Sequence, residues 1–248
     1  MNISIIKSRL FKKYHEIIFG FSTKIGLDRE APYYFNLSQS VGDDHSVVEE
    51  NRKFLFEMLG LDAENVAMQK QVHGDKISYV TKGGFCGESD AMITDRPNLG
   101  LAISTADCTS IFLYDKKKNV IAAVHSGWRG TQQKILLKTL QRLKDDFNSG
   151  PEDIIAYIGP SISQKNYEVG PEVAGKFESK FLIAKGEKFL LDVAGSNYDM
   201  LLNFGLLIDN VQISHYCSYE LDGLLHSYRR DGLNSGRAFG IIALKYSK

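Results

Sequence analysis

The sequence predicts an α+β fold, because short strand-like runs outnumber helical ones, the two kinds do not alternate, and no linker or repeat divides the chain. Helices and strands in strict alternation would favour a doubly wound parallel sheet. Here the runs cluster instead, so mixed β-sheets in a layered arrangement flanked by helices are expected, with residues 1–248 forming a single domain.

Taken in order, the first segment breaks its apolar residues with Lys7, Arg9, Lys12 and Lys13, so it lacks a signal-peptide core of roughly 7–15 apolar residues. Ile17–Phe21 then alternates like a strand, and Ser46–Leu59 has the spacing of a helix. Strands are expected at Ile77–Thr81, Leu101–Thr105, Ser110–Tyr114 and Val120–Val124, all rich in β-branched and aromatic residues. The helix Thr131–Phe147 would place Ile135, Leu136, Leu140, Leu143 and Phe147 on one side. Ile154–Ile158, Phe189–Val193, Val211–Tyr216 and Phe239–Leu244 complete the strands, with a further helix at Ser196–Leu207. The five prolines are scattered through short turns.

Composition narrows the function. Thirty basic residues balance thirty acidic ones, so no overall field attracts nucleic acid or an anionic membrane, and anion recognition must be local. No uncharged apolar run approaches the roughly 18 residues of a membrane span. Three widely spaced cysteines, Cys86, Cys108 and Cys217, make a disulfide framework improbable and fit a reducing compartment, so a cytoplasmic location is expected.

The chemistry is expected where two strands end. Leu101–Thr105 runs into Ala106, Asp107 and Cys108, and Val120–Val124 runs into His125. If Ser110–Tyr114 and Val120–Val124 pair antiparallel through the polar turn at 114–119, Cys108 and His125 fall at the same end of the ladder. His73, ahead of a Gly-Asp turn, offers a third ligand. Two imidazoles and a thiolate suit zinc, and three protein ligands leave the open position of a catalytic site. Spacing alone is weak support, since no compact motif such as C-x-x-C or H-E-x-x-H is present. Cys108 as a small buried hydrophobe is the plain alternative.

Asn36-Leu37-Ser38, Val41-Gly42-Asp43-Asp44, Asn51-Arg52, Gln71-Val72-His73-Gly74, Asp90-Ala91, Ala106-Asp107-Cys108, the run from His125 to Thr131, Tyr157-Ile158-Gly159-Pro160 and the run from Ser227 to Asp231 occur in this order. Together they resemble the laccase-domain family of YfiH-like purine nucleoside phosphorylases, formerly labelled polyphenol oxidases. The resemblance spans nearly the whole chain. It implies the YfiH-like fold, zinc on His73, Cys108 and His125, and phosphorolysis of adenosine, inosine, guanosine and methylthioadenosine, with adenosine deamination as a second activity. One departure is visible: Phe21-Ser22-Thr23-Lys24-Ile25-Gly26-Leu27 has Leu27 where the family's segment carries a second glycine.

Phosphorolysis requires a phosphate site. The segment Gly127–Thr131, following a strand and opening a helix, is the leading candidate, with Arg129, Gly130 and Thr131 as binders. The alternative there is a plain turn with Thr131 as N-cap. Arg52 and Arg229 are further anion candidates, with Arg230 and Arg237 close to the latter in sequence. Asp75 and Asp107 are the carboxylates nearest the ligands, and Asp75 is expected to assist proton transfer. The partners would be small molecules, purine nucleosides and inorganic phosphate, acting on a monomer or homodimer.

Competing readings are specific. A multicopper cluster needs clustered imidazoles, and six scattered histidines without His-x-His do not supply them, although copper on the single triad remains an oxidase alternative. A metal-independent hydrolase with a Cys108 nucleophile and a histidine base uses the same residues. The H-x-E and P-C-x-x-C pattern of zinc nucleoside deaminases is absent, and Gly170–Lys176 lacks the Ser or Thr that would complete a phosphate loop.

Overall fold

The structure, a computed structural model, describes residues 3–245, so the ends of the expected 1–248 domain lie outside the described residues. The strands are β1 Ile3–Ile6, β2 Ile17–Gly26, β3 Val66–Lys70, β4 Ile77–Tyr79, β5 Gly84–Glu88, β6 Ala91–Thr94, β7 Gly100–Thr105, β8 Thr109–Asp115, β9 Val120–Ser126, β10 Ile154–Ile158, β11 Glu168–Val169, β12 Leu182–Lys185, β13 Lys188–Leu191, β14 Val211–Ile213 and β15 Ala238–Leu244. The helices are α1 His45–Met58, α2 Trp128–Gln132, α3 Ile135–Phe147, α4 Pro171–Ala174, α5 Val193–Phe204 and α6 Tyr228–Asp231.

Two six-stranded mixed sheets carry the architecture, ordered β1-β2-β15-β7-β3-β5 and β14-β10-β8-β9-β6-β4, beside a small sheet β11-β13-β12. The large sheets stack face to face. Phe19, Phe21, Leu101, Ile103 and Ile242 of the first meet Phe112, Tyr114, Ile121, Ala123 and Tyr157 of the second in one buried cluster. Alternate residues of the same strands point the other way: Ile111, Leu113, Ala122, Val124 and Ile158 pack against Leu136, Leu140 and Leu143 of α3 and Leu201 of α5. On the far side, Phe239, Ile241 and Ala243 pack on Leu55 and Phe56 of α1. The result is helix, sheet, sheet, helix. Strands β8 and β9 are buried on both faces, which explains why SIFLY and VIAAV are continuous apolar runs instead of alternating ones.

The α+β class and the layered mixed sheets agree with the sequence expectation, and the borders differ for local reasons. Helix α1 starts under Asp44, whose carboxylate accepts the Ser46 amide at 2.7 Å. The expected helix Thr131–Phe147 is broken: α2 begins at Trp128 behind an N-cap at Gly127, and Lys134 turns left-handed, φ 60°, before α3 begins. The expected strand Phe189–Val193 ends at Leu191 because Asp192 caps α5 by accepting the Gly195 amide. No helix among the described residues is long and apolar enough to cross a membrane.

Candidate metal centre

The β8–β9 hairpin places two of the three expected ligands. Its turn is held by Asp115, which accepts the amides of Lys117 and Lys118 at 2.8 and 2.9 Å, and Asn119 closes it with φ 53°. The resulting antiparallel register pairs Thr109 with Ser126 and Ser110 with His125. Cys108 and His125 therefore sit near one end of the ladder, Cys108 just ahead of the Thr109–Ser126 pair and His125 in the pair next to it. His73 reaches them from the loop between β3 and β4, held at φ 59°.

One ligand atom from each of His73, Cys108 and His125 lies within 4.8 Å of the others, with Cys108 Sγ 4.0 Å from His73 Nε2. A tetrahedral ion bound at about 2.0–2.3 Å spaces its ligands by roughly 3.3–3.8 Å, so small side-chain movements would close this set around a metal. The donor chemistry fits: two imidazoles, one thiolate, and a solvent-facing side. Among the described residues this is the one group of three His, Cys, Asp or Glu side chains arranged to hold an ion.

The electrostatics favour a thiolate. Burial alone would raise the Cys108 thiol, but hydrogen bonds and charge from His125 and His73 outweigh it and hold it at about 6. Burial likewise opposes charge on His125, yet its bonds to Asp90 and Cys108 push it up to about 9. Asp90 was not foreseen as a site residue; it appeared only within a resembling motif. It is fully buried, and its carboxylate lies 2.8 Å from His125 Nδ1.

The triad lines a cleft of about 500 Å³ together with Ser38, Gln69, Gln71, Tyr228 and Arg237. Gln69 Nε2 is buried and unpartnered among the described residues, while its Oε1 accepts the Ser89 hydroxyl. Behind Cys108 lies a smaller apolar hollow of about 30 Å³, walled by Trp128, Ile162, Tyr167 and Val193. Arg129 lies 4.6 Å over the Trp128 ring and Arg229 5.0 Å over the Tyr167 ring, so two exposed cations flank this hollow.

Several expected site residues are placed elsewhere. Asp75 ion-pairs with Lys138 of α3 and is absent from the residues lining the cleft. Arg52 donates to the Leu37 carbonyl and to Glu49, both at 2.7 Å, and borders a separate hollow beside α1. Thr131 is neither a cap nor open to an anion: its amide donates to Gly127 O, and its hydroxyl is bonded to Ser126 and Asn197. Gly130 is buried, and a Cβ there would stand 3.3 Å from Ile135, so its glycine serves packing of α2 on α3. Asp107, at φ 88°, accepts Ser218 Oγ and the Arg229 amide at 2.6 Å each, which pins the C-terminal segment to the turn before Cys108.

The model of the family described as multi-copper polyphenol oxidoreductase laccase matches residues 18–245. A purine nucleoside phosphorylase of Deinococcus radiodurans is 36% identical over 228 residues, covering 90% of this chain and 88% of that protein. The chain belongs to the laccase-like family that includes the YfiH purine nucleoside phosphorylases. The YfiH protein of Escherichia coli, itself named a purine nucleoside phosphorylase, is 33% identical over 231 residues, covering 90% and 92% of the two chains. The crystal structure of YfiH from Bacillus licheniformis superposes with a TM-score of 0.93 at 29% identity, covering 98% of this chain and 97% of that one. YlmD from Geobacillus stearothermophilus gives 0.90 at 26%, covering 96% and 94%. The whole laccase-like fold is therefore shared, well beyond the neighbourhood of the triad.

Proposed function

We propose that this laccase-like protein is a purine nucleoside phosphorylase acting on adenosine, inosine, guanosine and methylthioadenosine, with zinc held by His73, Cys108 and His125. The observation that carries the reading is the convergence of these three side chains on a cleft of about 500 Å³, large enough for a nucleoside. Relatives named purine nucleoside phosphorylases support it. When bound, zinc would supply a Lewis acid for the departing purine or an activated water for adenosine deamination.

The chain's own residues supply the rest. Arg129 and Arg229, exposed beside Cys108, are the cations we assign to phosphate. Tyr228 and Arg237 would orient the nucleoside along the cleft wall. Positioning of nucleoside and phosphate is the largest contribution such a site makes without covalent chemistry. We take residues 1–248 as one cytoplasmic domain with small-molecule partners, working as a monomer or homodimer without nucleic acid or membrane.

A second reading has its own support: Cys108 lies beside His73 and His125, whose hydrogen bonds and charge lower its thiol, the setting in which a cysteine would act as a nucleophile without metal. Copper on the same triad would give oxidase chemistry. Elemental analysis of the purified chain, paired with product analysis after incubation with adenosine with and without phosphate, separates all three. Zinc and phosphate-dependent release of adenine with ribose 1-phosphate are expected. Copper, or a metal-free protein that hydrolyses acyl or amide substrates, would replace the proposal.

A further inference from the structure

We propose that Asp90 is a positioning residue that holds both histidines of the triad in their metal-ready geometry before any ion arrives; this rests on the metal reading above. The carboxylate is 0% exposed and every acceptor site on it is used. Oδ1 accepts the His73 amide at 3.0 Å and lies 2.8 Å from His125 Nδ1. Oδ2 accepts the amides of Val72 at 3.1 Å and Gly74 at 2.8 Å. One side chain thus grips three consecutive amides of the His73 loop and the ring of His125.

Two consequences follow. The first concerns His125. A carboxylate only accepts, so the proton between it and the ring is on Nδ1, which leaves Nε2 as the nitrogen that can ligate a metal. The backbone carbonyl of Asp90 also accepts the His125 amide at 2.8 Å, fixing the same residue from its other end. The second concerns His73. Its φ of 59° is the left-handed conformation that a non-glycine residue adopts only at a steric cost, and the Asp90 grip on the amides of residues 72–74 offsets that cost. His73 would otherwise be a loop residue free to turn away.

An asparagine at position 90 tests this sharply, since it keeps the volume and loses half the acceptors. With its oxygen facing His125 and His73, its amide opposes the Val72 and Gly74 N–H groups; flipped, it opposes His125 Nδ1–H and the His73 amide. Either orientation loosens one histidine. Asp90→Asn is expected to weaken zinc binding about 10–100-fold in competition with a chelator. In the wild-type protein, NMR should show a slowly exchanging, downfield His125 Nδ1–H proton both with and without zinc, and Asp90→Ala should lose it. A mere packing role would move neither that resonance nor the affinity of the isosteric variant.

Zinc affinity of Asp90→Asn within about twofold of wild type, or absence of the protected Nδ1–H in the wild type, overturns the assignment. Should Asp90→Ala fail to fold, the wild-type resonance and the asparagine variant decide it. If the wild-type chain binds no metal at all, the zinc reading falls, and the Asp90 assignment then stands or falls on the Nδ1–H proton alone.

Discussion

Gly127 has torsions open to any residue, φ −66° and ψ 178°, so its lack of a side chain answers to space and not to backbone. A Cβ there would stand 2.9 Å from Cys108 Sγ and 3.4 Å from His73 Cδ2. Gly127→Ala should therefore reduce zinc affinity about tenfold or more while leaving the thermal midpoint within a few degrees, as chelator titration and calorimetry would show. Cys108→Ala removes the thiolate outright; metal analysis should find zinc content falling toward none, with turnover down about 100-fold or more. Leu27, where the resembling segment carries a glycine, sits at φ 52°, a conformation a glycine would adopt without strain, and nothing in the structure explains the leucine.

At the scale of the element, the hairpin β8–β9 was legible because its polar turn is short and both flanking runs are strongly β-forming, so Cys108 and His125, at similar distances from the turn, come to the same end of the ladder. The break between α2 and α3 was not, because Lys134 is an ordinary helix former by propensity. Its left-handed turn, φ 60°, ends α2 and lets α3 start in a new direction. Lys134→Gly should raise stability by about 0.5–1 kcal/mol, the relief of the left-handed conformation less the entropy of a glycine, read from the urea midpoint. The equivalent change at Asn148, φ 54°, should gain less, since asparagine already tolerates that region. Strands β3, β5 and β6 escaped the sequence reading as well: VAMQK, GFCGE and AMIT are too short and too mixed to alternate visibly.

The whole molecule depends on the interface between its two large sheets. Phe112 fills it, stacked 5.1 Å edge-on to Phe19, and approaches the backbone of Gly240 so closely that a Cβ there would overlap its ring. Phe112→Ala should cost about 3–5 kcal/mol in denaturant unfolding. Acid acts on the fold through His226, which is 3% exposed. Burial holds it down to about 3, despite its bond to the Phe35 carbonyl, with Lys24 and Arg237 adding repulsion. In the unfolded chain the ring titrates near 6.5, so between about pH 6.5 and 3 the unfolded state binds the extra proton. Stability is thus fully present above that window and falls as pH drops through it, by up to about 1.4 kcal/mol per unit. Urea midpoints measured from pH 7 to pH 5 should decline less in His226→Gln than in the parent.

The sequence by itself determined the α+β class and the hairpin that brings Cys108 near His125, because each depends on local pattern or on a short turn. The roles of distant side chains were decided by tertiary structure alone. Asp90 draws its partners from positions 72–74 and 125, a grouping with no signature along the chain. Arg52, Asp75 and Thr131 are chemically suited to a site, yet each was claimed by a neighbour that packing brought closer: the Leu37 carbonyl, Lys138, and Ser126 with Asn197. A charge or hydroxyl announces what it can bind, and the three-dimensional neighbourhood sets which partner reaches it first.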